Sequence, residues 1–406
     1  MPVPISRHDV PAVSQTIHFV ALAALSLLFL HGCGPAGQED AKTAGAPASP
    51  ASTESSFIPV GEYGSLTGTT AAFGQSQHKG IVLAIEEINA AGGVLGKPFR
   101  LFSEDNQSKQ EETPIVVAKL INQNHIVALL GEVASSRTLA AAPLAQRAGI
   151  PMISTSSTNP KVTLVGNFIF RMCYLDTFQG AAIARFVKKT LGKTKAAVLI
   201  DVRNDYSVGL GGFFSENFTK LGGTIVSSES YSEGDQDFRA QLTKIKATNP
   251  EVLVIPGYYA DAAKIAKQAR DLGFDVPLVG GDGWESSKLF EIGGTAVEGS
   301  YYSNHYFMGD AKPEIVAFVK KFQERWGEPP DSMSALAYDG ARLLADAMRR
   351  AGTTNGDAVR QALASTKDWP GVTGAMSFDE NRNPVKPIVI LGVQGGKLVL
   401  KETMAP

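Results

Sequence analysis

"VLVIPGYYADAAKIAKQARDLG", residues 252–273, holds a strand, a loop and a helix in that order. Residues 252–255 are an unbroken apolar run, as expected of a strand buried on both faces of a parallel sheet. Residues 259–272 carry apolar side chains at helical spacing, and Gly273 is placed to stop that helix. The same unit recurs along the chain. Apolar runs stand at 126–130, 196–200 and 277–279, with amphipathic stretches at 78–90, 110–124, 137–148, 178–190 and 237–248 between and beside them. Ile81, Ile85 and Ile88 share one helical face, and glycines close several helices, at 92–93, 149, 192 and 222–223. Strands alternating with helices predict an α/β protein, doubly wound around parallel sheets. With 406 residues the chain exceeds one such sheet, so two α/β lobes are expected.

Composition narrows the functions. A formal charge of −2 provides no basic field for nucleic acid, so no nucleic-acid partner is expected. No GxSxG, HExxH, CxxC or P-loop motif occurs. "GGVLGKP", residues 92–98, lacks the leading glycine and the Ser/Thr of a phosphate loop and reads as a helix end turning into a strand. "GLGGFF", 209–214, lacks the third glycine of a dinucleotide fingerprint and lies in a helical pattern. Beyond the N-terminal segment only His78, His125, His305 and Cys173 remain for metal or thiol chemistry, so neither catalysis nor a cofactor or metal is expected. Cys173 reads as a small core residue.

The N-terminal segment has its own signature. Arg7 precedes an apolar run at 19–30, too short to span a bilayer but suited to a signal-peptide core. "LHGC", residues 30–33, resembles a bacterial lipobox, which implies that residues 1–33 are a lipoprotein signal with Cys33 acylated; a plain secretory signal is the alternative. Residues 34–56, rich in Ala, Ser, Pro and Gly, read as a disordered tether spanning about 26 Å. The expected location is extracytoplasmic, in a periplasm or at the cell surface, held to a membrane by lipid.

Candidate binding chemistry lies where strands should end. In "GIPMISTSSTNPKVT", 149–163, residues 151–153 form the expected strand, and six small polar residues follow it. In "GEVASSRTLAAAPLAQRAGIP" Ser135 or Ser136 falls at a helix N-cap, which uses one serine and leaves the other beside a helix terminus that favours anions. Tyr258 and Tyr259 follow another strand; Asp282 stands among glycines in "PLVGGDGWES"; "DVRNDYSVGL" adds Asp201, Asp205 and Tyr206. Ligands of open α/β sheets bind at that carboxyl edge. A solvated turn, a loop cap and packing between lobes are the structural alternatives. Hydroxyls for a carboxylate, an acid for an ammonium and tyrosines for the body together describe an α-amino acid site.

These stretches, with "GSLTGTTAAFGQSQHKGIVLAIEEINAAGG", "DTFQGAAIARFV", "YSEGDQDFRAQLTKIKATNP" and "GGDGW", resemble in order the solute-binding proteins of branched-chain amino acid ABC importers. That is the leucine/isoleucine/valine-binding family, with the type I periplasmic-binding fold. The resemblance runs from about Phe57 to Leu400. It implies two Rossmann-like lobes joined by three crossover strands near 173–177, 301–306 and 371–377. The first lobe is then 57–174 plus 306–372, and the second 175–304 plus 375–406. It implies that Ser135, Ser156 and Thr158 grip the ligand carboxylate and ammonium, with Asp282 in the place of an ammonium-binding acid that is often glutamate. Phe73, Tyr206 and Tyr258 match aromatic positions around the ligand. Ser156 and Phe73 depart in residue type from the best-known member, which leaves side-chain specificity open. The implied partners are an amino acid, branched-chain or otherwise apolar, and ABC permease subunits; a monomer is expected. A ligand sensor of the same fold, or a binder of an amide, urea or aromatic acid, are the alternatives.

Overall fold

The computed structural model describes residues 56–406. The predicted signal sequence, Cys33 and all but the last residue of the predicted tether lie outside the described residues. The chain first builds a five-stranded sheet from β1 (Ile58–Gly64), β2 (Phe99–Asp105), β3 (Ala128–Leu130), β4 (Met152–Ser154) and β5 (Ile169–Arg171). Their order is β2-β1-β3-β4-β5 and every pairing is parallel, with Ile58 opposite Phe99 and Val60 opposite Ala128. The helices between them cover both faces, so Val60, Leu129 and Ile153 are fully buried. The helix Ala71–Ala90 buries Ile81, Ile85 and Ile88 as their spacing predicts. It packs on the helix Ser332–Ala351 so closely that a Cβ on Gly80 would stand 2.1 Å from the Ser334 carbonyl oxygen, which only glycine allows.

A second sheet repeats the plan. It comprises β6 (Lys195–Asp201), β7 (Thr224–Tyr231), β8 (Val252–Ile255), β9 (Leu278–Gly280) and β10 (Tyr301–Asn304). After β10 comes a short hairpin of β11 (Trp369–Gly371) and β12 (Gly374–Met376). The second sheet is completed by β13 (Ile388–Gln394) and β14 (Lys397–Met404) in the order β14-β13-β10-β9-β8-β6-β7. The fold is the type I periplasmic-binding architecture, two Rossmann-like lobes, as the resemblance implied.

Several local expectations are corrected. The sheets are not purely parallel, because β13 runs antiparallel to both β10 and β14. Gly395 and Gly396 take positive φ, 59° and 69°, and form the tight turn that lets β14 fold back. The helix expected at 78–90 starts at Ala71, and the one expected at 178–190 runs as an α-helix over Asp176–Arg185 before a π-helical stretch, Phe186–Thr190. Neither Ser135 nor Ser136 caps a helix: the N-cap is Ala134, with no side-chain cap bond, and both serines lie in the first helical turn. The segment 371–377, where the third crossover was expected, overlaps the β11–β12 hairpin. The β11–β12 hairpin is held by the Asp339 carboxylate, which accepts the Val372 and Thr373 amides at 2.9 Å each. Arg382 then donates to the carbonyls of Ile169 and Thr163, so the chain stays against the first lobe until Ile388 enters the second sheet.

Candidate functional site

Each sheet directs its strand ends toward the other. The run Thr155–Asn159 follows β4, and its hydroxyls divide into two sets. Ser154 Oγ donates to the Glu132 carbonyl at 3.0 Å, Thr155 Oγ1 to Gln77 Oε1 at 3.0 Å, and Ser157 Oγ reaches the Glu132 and Val133 carbonyls. Asn159 uses its side-chain amide on the Asp205 carbonyl, 2.7 Å away. Those four build the loop. The buried hydroxyls of Ser156 and Thr158 have no hydrogen-bond partner in the protein. The Arg171 guanidinium holds the carbonyls of Ser157 and Asn159 from behind, which fixes the loop with these two side chains turned the other way.

The second lobe supplies an acid. Asp282 opens a short turn after β9, and its backbone N–H donates to Gln179 Oε1 at 2.9 Å. A Cβ on the preceding Gly281 would lie 2.3 Å from the Tyr206 hydroxyl and 2.6 Å from Gln179 Oε1, so glycine is required for this close approach. Asp282 Oδ2 is 3.0 Å from His305 Nε2, whereas Oδ1 is buried without a partner. Tyr206 stacks on Tyr258, with ring centroids 5.4 Å apart and planes 7° from parallel, and its hydroxyl accepts from Gly283 N–H at 3.1 Å.

These groups meet at one small cavity. Val133, Ser156, Thr158 and Met333 line it from the first lobe, and Tyr206, Tyr258, Asp282 and Gly283 from the second. Three polar atoms without protein partners, Ser156 Oγ, Thr158 Oγ1 and Asp282 Oδ1, therefore converge among apolar and aromatic walls. Buried polar atoms are rarely left unpaired, because each costs about 1–3 kcal/mol, so such a group of them marks a place built for a polar ligand.

A second carboxyl stands close by. Burial, and then the charge of Asp282, push the Asp176 carboxyl well above the ordinary carboxylate range. It accepts from Gln179 Nε2 at 3.0 Å and neighbours Thr158 without hydrogen-bond geometry. Asp176 Oδ2 is also buried without a partner, but Asp176 does not line the cavity, so Asp282 Oδ1 is the unpaired carboxyl oxygen that faces it. Burial also pushes the Cys173 thiol up to about 12, so it is an inert core residue.

Of the residues singled out from sequence, the structure brings Ser156, Thr158, Tyr206, Tyr258 and Asp282 together. Phe73 and Ser135 are buried nearby but do not line the cavity. Phe73 meets Tyr258 and Tyr259 edge-on, at 5.4 and 4.9 Å, and the Ser135 hydroxyl accepts from Asn159 N–H at 3.3 Å. Ser136 instead ties the lobes, accepting from the Asp205 amide at 2.8 Å and donating to its carboxylate at 3.0 Å. Tyr259 does the same, its hydroxyl donating to the Thr69 carbonyl at 3.3 Å. Sequence reasoning missed Val133, Met333, Asp176, Gln179 and His305. Asp176 and Gln179 lie in "DTFQG", which carried only resemblance; His305 looked like a stray histidine.

Two wider grooves flank the cavity. One, at the mouth between the lobes, is lined by Thr69, Lys109, Arg203 and Glu233 among others; the second by Lys79, Glu285, Lys288 and Asp331 among others. No residue lining either has a buried polar atom lacking a partner, so the small cavity is the candidate site.

Two α/β lobes that close polar, unpaired atoms into a shared cavity define a bilobed ligand-binding receptor. The sequence profile of the periplasmic binding protein family matches residues 58–397, and the chain belongs to that family, whose members bind solutes rather than transform them. The chain is 37% identical to a leucine-binding protein from Thermotoga maritima, with a TM-score of 0.83 over 86% of this chain and 99% of that one. It is 35% identical to a branched-chain amino acid transporter substrate-binding protein from Streptococcus pneumoniae solved in complex with isoleucine, with a TM-score of 0.82 over 86% and 100% of the two chains. An amino acid binding protein of Pseudomonas aeruginosa is 31% identical over 304 residues, 73% of this chain and 80% of that protein.

Proposed function

We propose that this protein captures an α-amino acid with an apolar side chain between its lobes and delivers it to the permease of an ABC importer. The observation that carries this reading is the convergence of Ser156 Oγ, Thr158 Oγ1 and Asp282 Oδ1, from two lobes, on one cavity. The hydroxyls and the amides of their loop suit a carboxylate, and Thr158 with Asp282 suits an ammonium. Tyr206, Tyr258, Val133 and Met333 offer the side chain an apolar wall. The isoleucine complex of the Streptococcus relative supports the same class of ligand. An aromatic acid without an amine would leave Asp282 Oδ1 unpaired beside an anion, which disfavours that alternative.

Closure follows from where the groups sit. The first lobe holds Ser156 and Thr158, so it receives the zwitterion first, and Asp282, Tyr206 and Tyr258 join when the lobes meet. Only contacts made in the shut form shift the hinge equilibrium. Moving it from mostly open to mostly shut takes about 5.5 kcal/mol, which two or three hydrogen bonds to charged groups, at about 1.5–3 kcal/mol each, supply. The lobes are taken as 57–174 with 306–386, and 175–304 with 388–406. A lipid on Cys33 and the tether after it would hold a monomeric receptor outside the cytoplasm beside the permease.

Calorimetry with the purified mature chain tests the reading. Leucine, isoleucine or valine should bind at micromolar or better affinity, and benzoate should not. Binding of benzoate with no amino acid bound would overturn the proposed ligand class.

A further inference from the structure

Asp282 is held from two sides by residues at the passages between lobes. Its backbone N–H donates to Gln179, in the first turns of the helix Asp176–Arg185, and Gln179 Oε1 also accepts from Ser303 Oγ of β10 at 2.7 Å. Its carboxylate meets His305, the residue immediately after β10. That imidazole is buried and stacked on Tyr174, with ring centroids 4.0 Å apart and planes 28° from parallel. Its Nδ1 has no hydrogen-bond partner. Burial pulls the His305 pKa down, favouring neutral imidazole, and a neutral ring with a bare Nδ1 carries its proton on Nε2. Nε2 can then only donate to Asp282 Oδ2. The titratable groups that face the ring are Asp282 on the turn after β9, Tyr174 stacked on it from the first passage, and Lys386 on the last.

We propose that His305 is a positioning residue for ammonium recognition: by donating to Asp282 Oδ2 it aims Oδ1 at the cavity and makes the site prefer an α-amine over the same acid lacking one. The inference rests on the amino-acid reading above and adds what enforces it. A carboxylate with both oxygens free could rotate and meet a ligand hydroxyl or water as readily as an ammonium. With Oδ2 occupied, a single oxygen faces the cavity beside Thr158 Oγ1, and both are acceptors for the N–H bonds of an ammonium. An aspartate, shorter than glutamate, depends on such a hold to keep its oxygen forward. His305 touches no ligand itself; it acts through Asp282.

The test compares leucine with its α-hydroxy analogue by calorimetry on the wild type, His305→Leu and His305→Gln. Loss of a hydrogen bond to a charged group corresponds to roughly a 10- to 100-fold effect. His305→Leu should therefore weaken leucine binding about 10- to 100-fold, leave the weak binding of the hydroxy acid unchanged, and so lower the preference for the amine. His305→Gln, whose amide can still donate, should restore most of that preference. Equal losses for both ligands in His305→Leu, or an unchanged preference, would overturn the proposal. A wild type that binds the hydroxy acid as well as leucine would overturn the amino-acid reading itself. NMR of isotope-labelled histidine in the wild type supplies a measurement free of folding effects: the Nε2–H tautomer supports the assignment, and the Nδ1–H tautomer refutes it.

Discussion

Ser156 and Thr158 stand two positions apart in a run of six small polar residues, and only their hydroxyls are buried without partners. Composition identified the run but not this alternation. It depends on the carbonyls of Glu132 and Val133 arriving from β3 and on Arg171 gripping the loop, contacts between residues remote in sequence. Ser135, expected from sequence to grip the ligand, likewise accepts from Asn159 N–H, a contact between residues 24 positions apart. A residue kept for binding rather than folding has a recognisable signature. Ser156→Ala removes a hydroxyl whose burial costs about 1 kcal/mol, so its melting temperature should not fall. Leucine affinity should nevertheless drop about tenfold, the loss of one hydrogen bond to a charged group. Thermal denaturation and calorimetry on one preparation check both halves, and a destabilised variant with full affinity would assign Ser156 to structure.

The turn after β9 works at the scale of an element, because it faces two ways. Asp282 points into the cavity, and three residues on Glu285 points at the start of the helix Ser332–Ala351 in the first lobe. There it meets the Ser332 amide and the Asp331 carboxylate, while Tyr302 on its own lobe donates to it at 2.6 Å and Asn304 lies beside it. Asp331 itself accepts from Ser76 and Ser334. Burial, and then Asp331, raise the Glu285 pKa from 4.5 to about 7, and burial raises that of Asp331 as well. Opening the lobes separates the pair and returns Glu285 toward its ordinary value. A pKa raised in the shut form favours closure fully below about 4.5, and that contribution is lost as pH rises to about 7. Ligand binding should therefore take up a fraction of a proton near pH 6, readable by calorimetry in buffers of different ionisation heat. Glu285→Gln should abolish that uptake; uptake persisting in the variant would place the proton elsewhere. None of this was visible in "GGDGWES", because the partner helix begins some fifty residues later.

At the scale of the whole molecule, the sequence was most legible where local signals repeat. Apolar runs followed by amphipathic stretches with glycine stops located the parallel strands of both sheets, and β8 falls on residues 252–255 as read. The antiparallel pair β13–β14 was missed although Gly395-Gly396 between two apolar runs is a hairpin signal. The site was legible as a set of strand ends and illegible as a set of roles, since roles depend on which atoms the opposite lobe leaves unpaired. A crystal structure of the protein with leucine tests the account most directly. The account expects the ligand ammonium within hydrogen-bond distance of Asp282 Oδ1 and Thr158 Oγ1, its carboxylate on the Ser156 loop, and its side chain against Tyr206 and Tyr258. Leucine bound in the groove beside Arg203 and Glu233, or with its carboxylate turned toward Asp282, would contradict it.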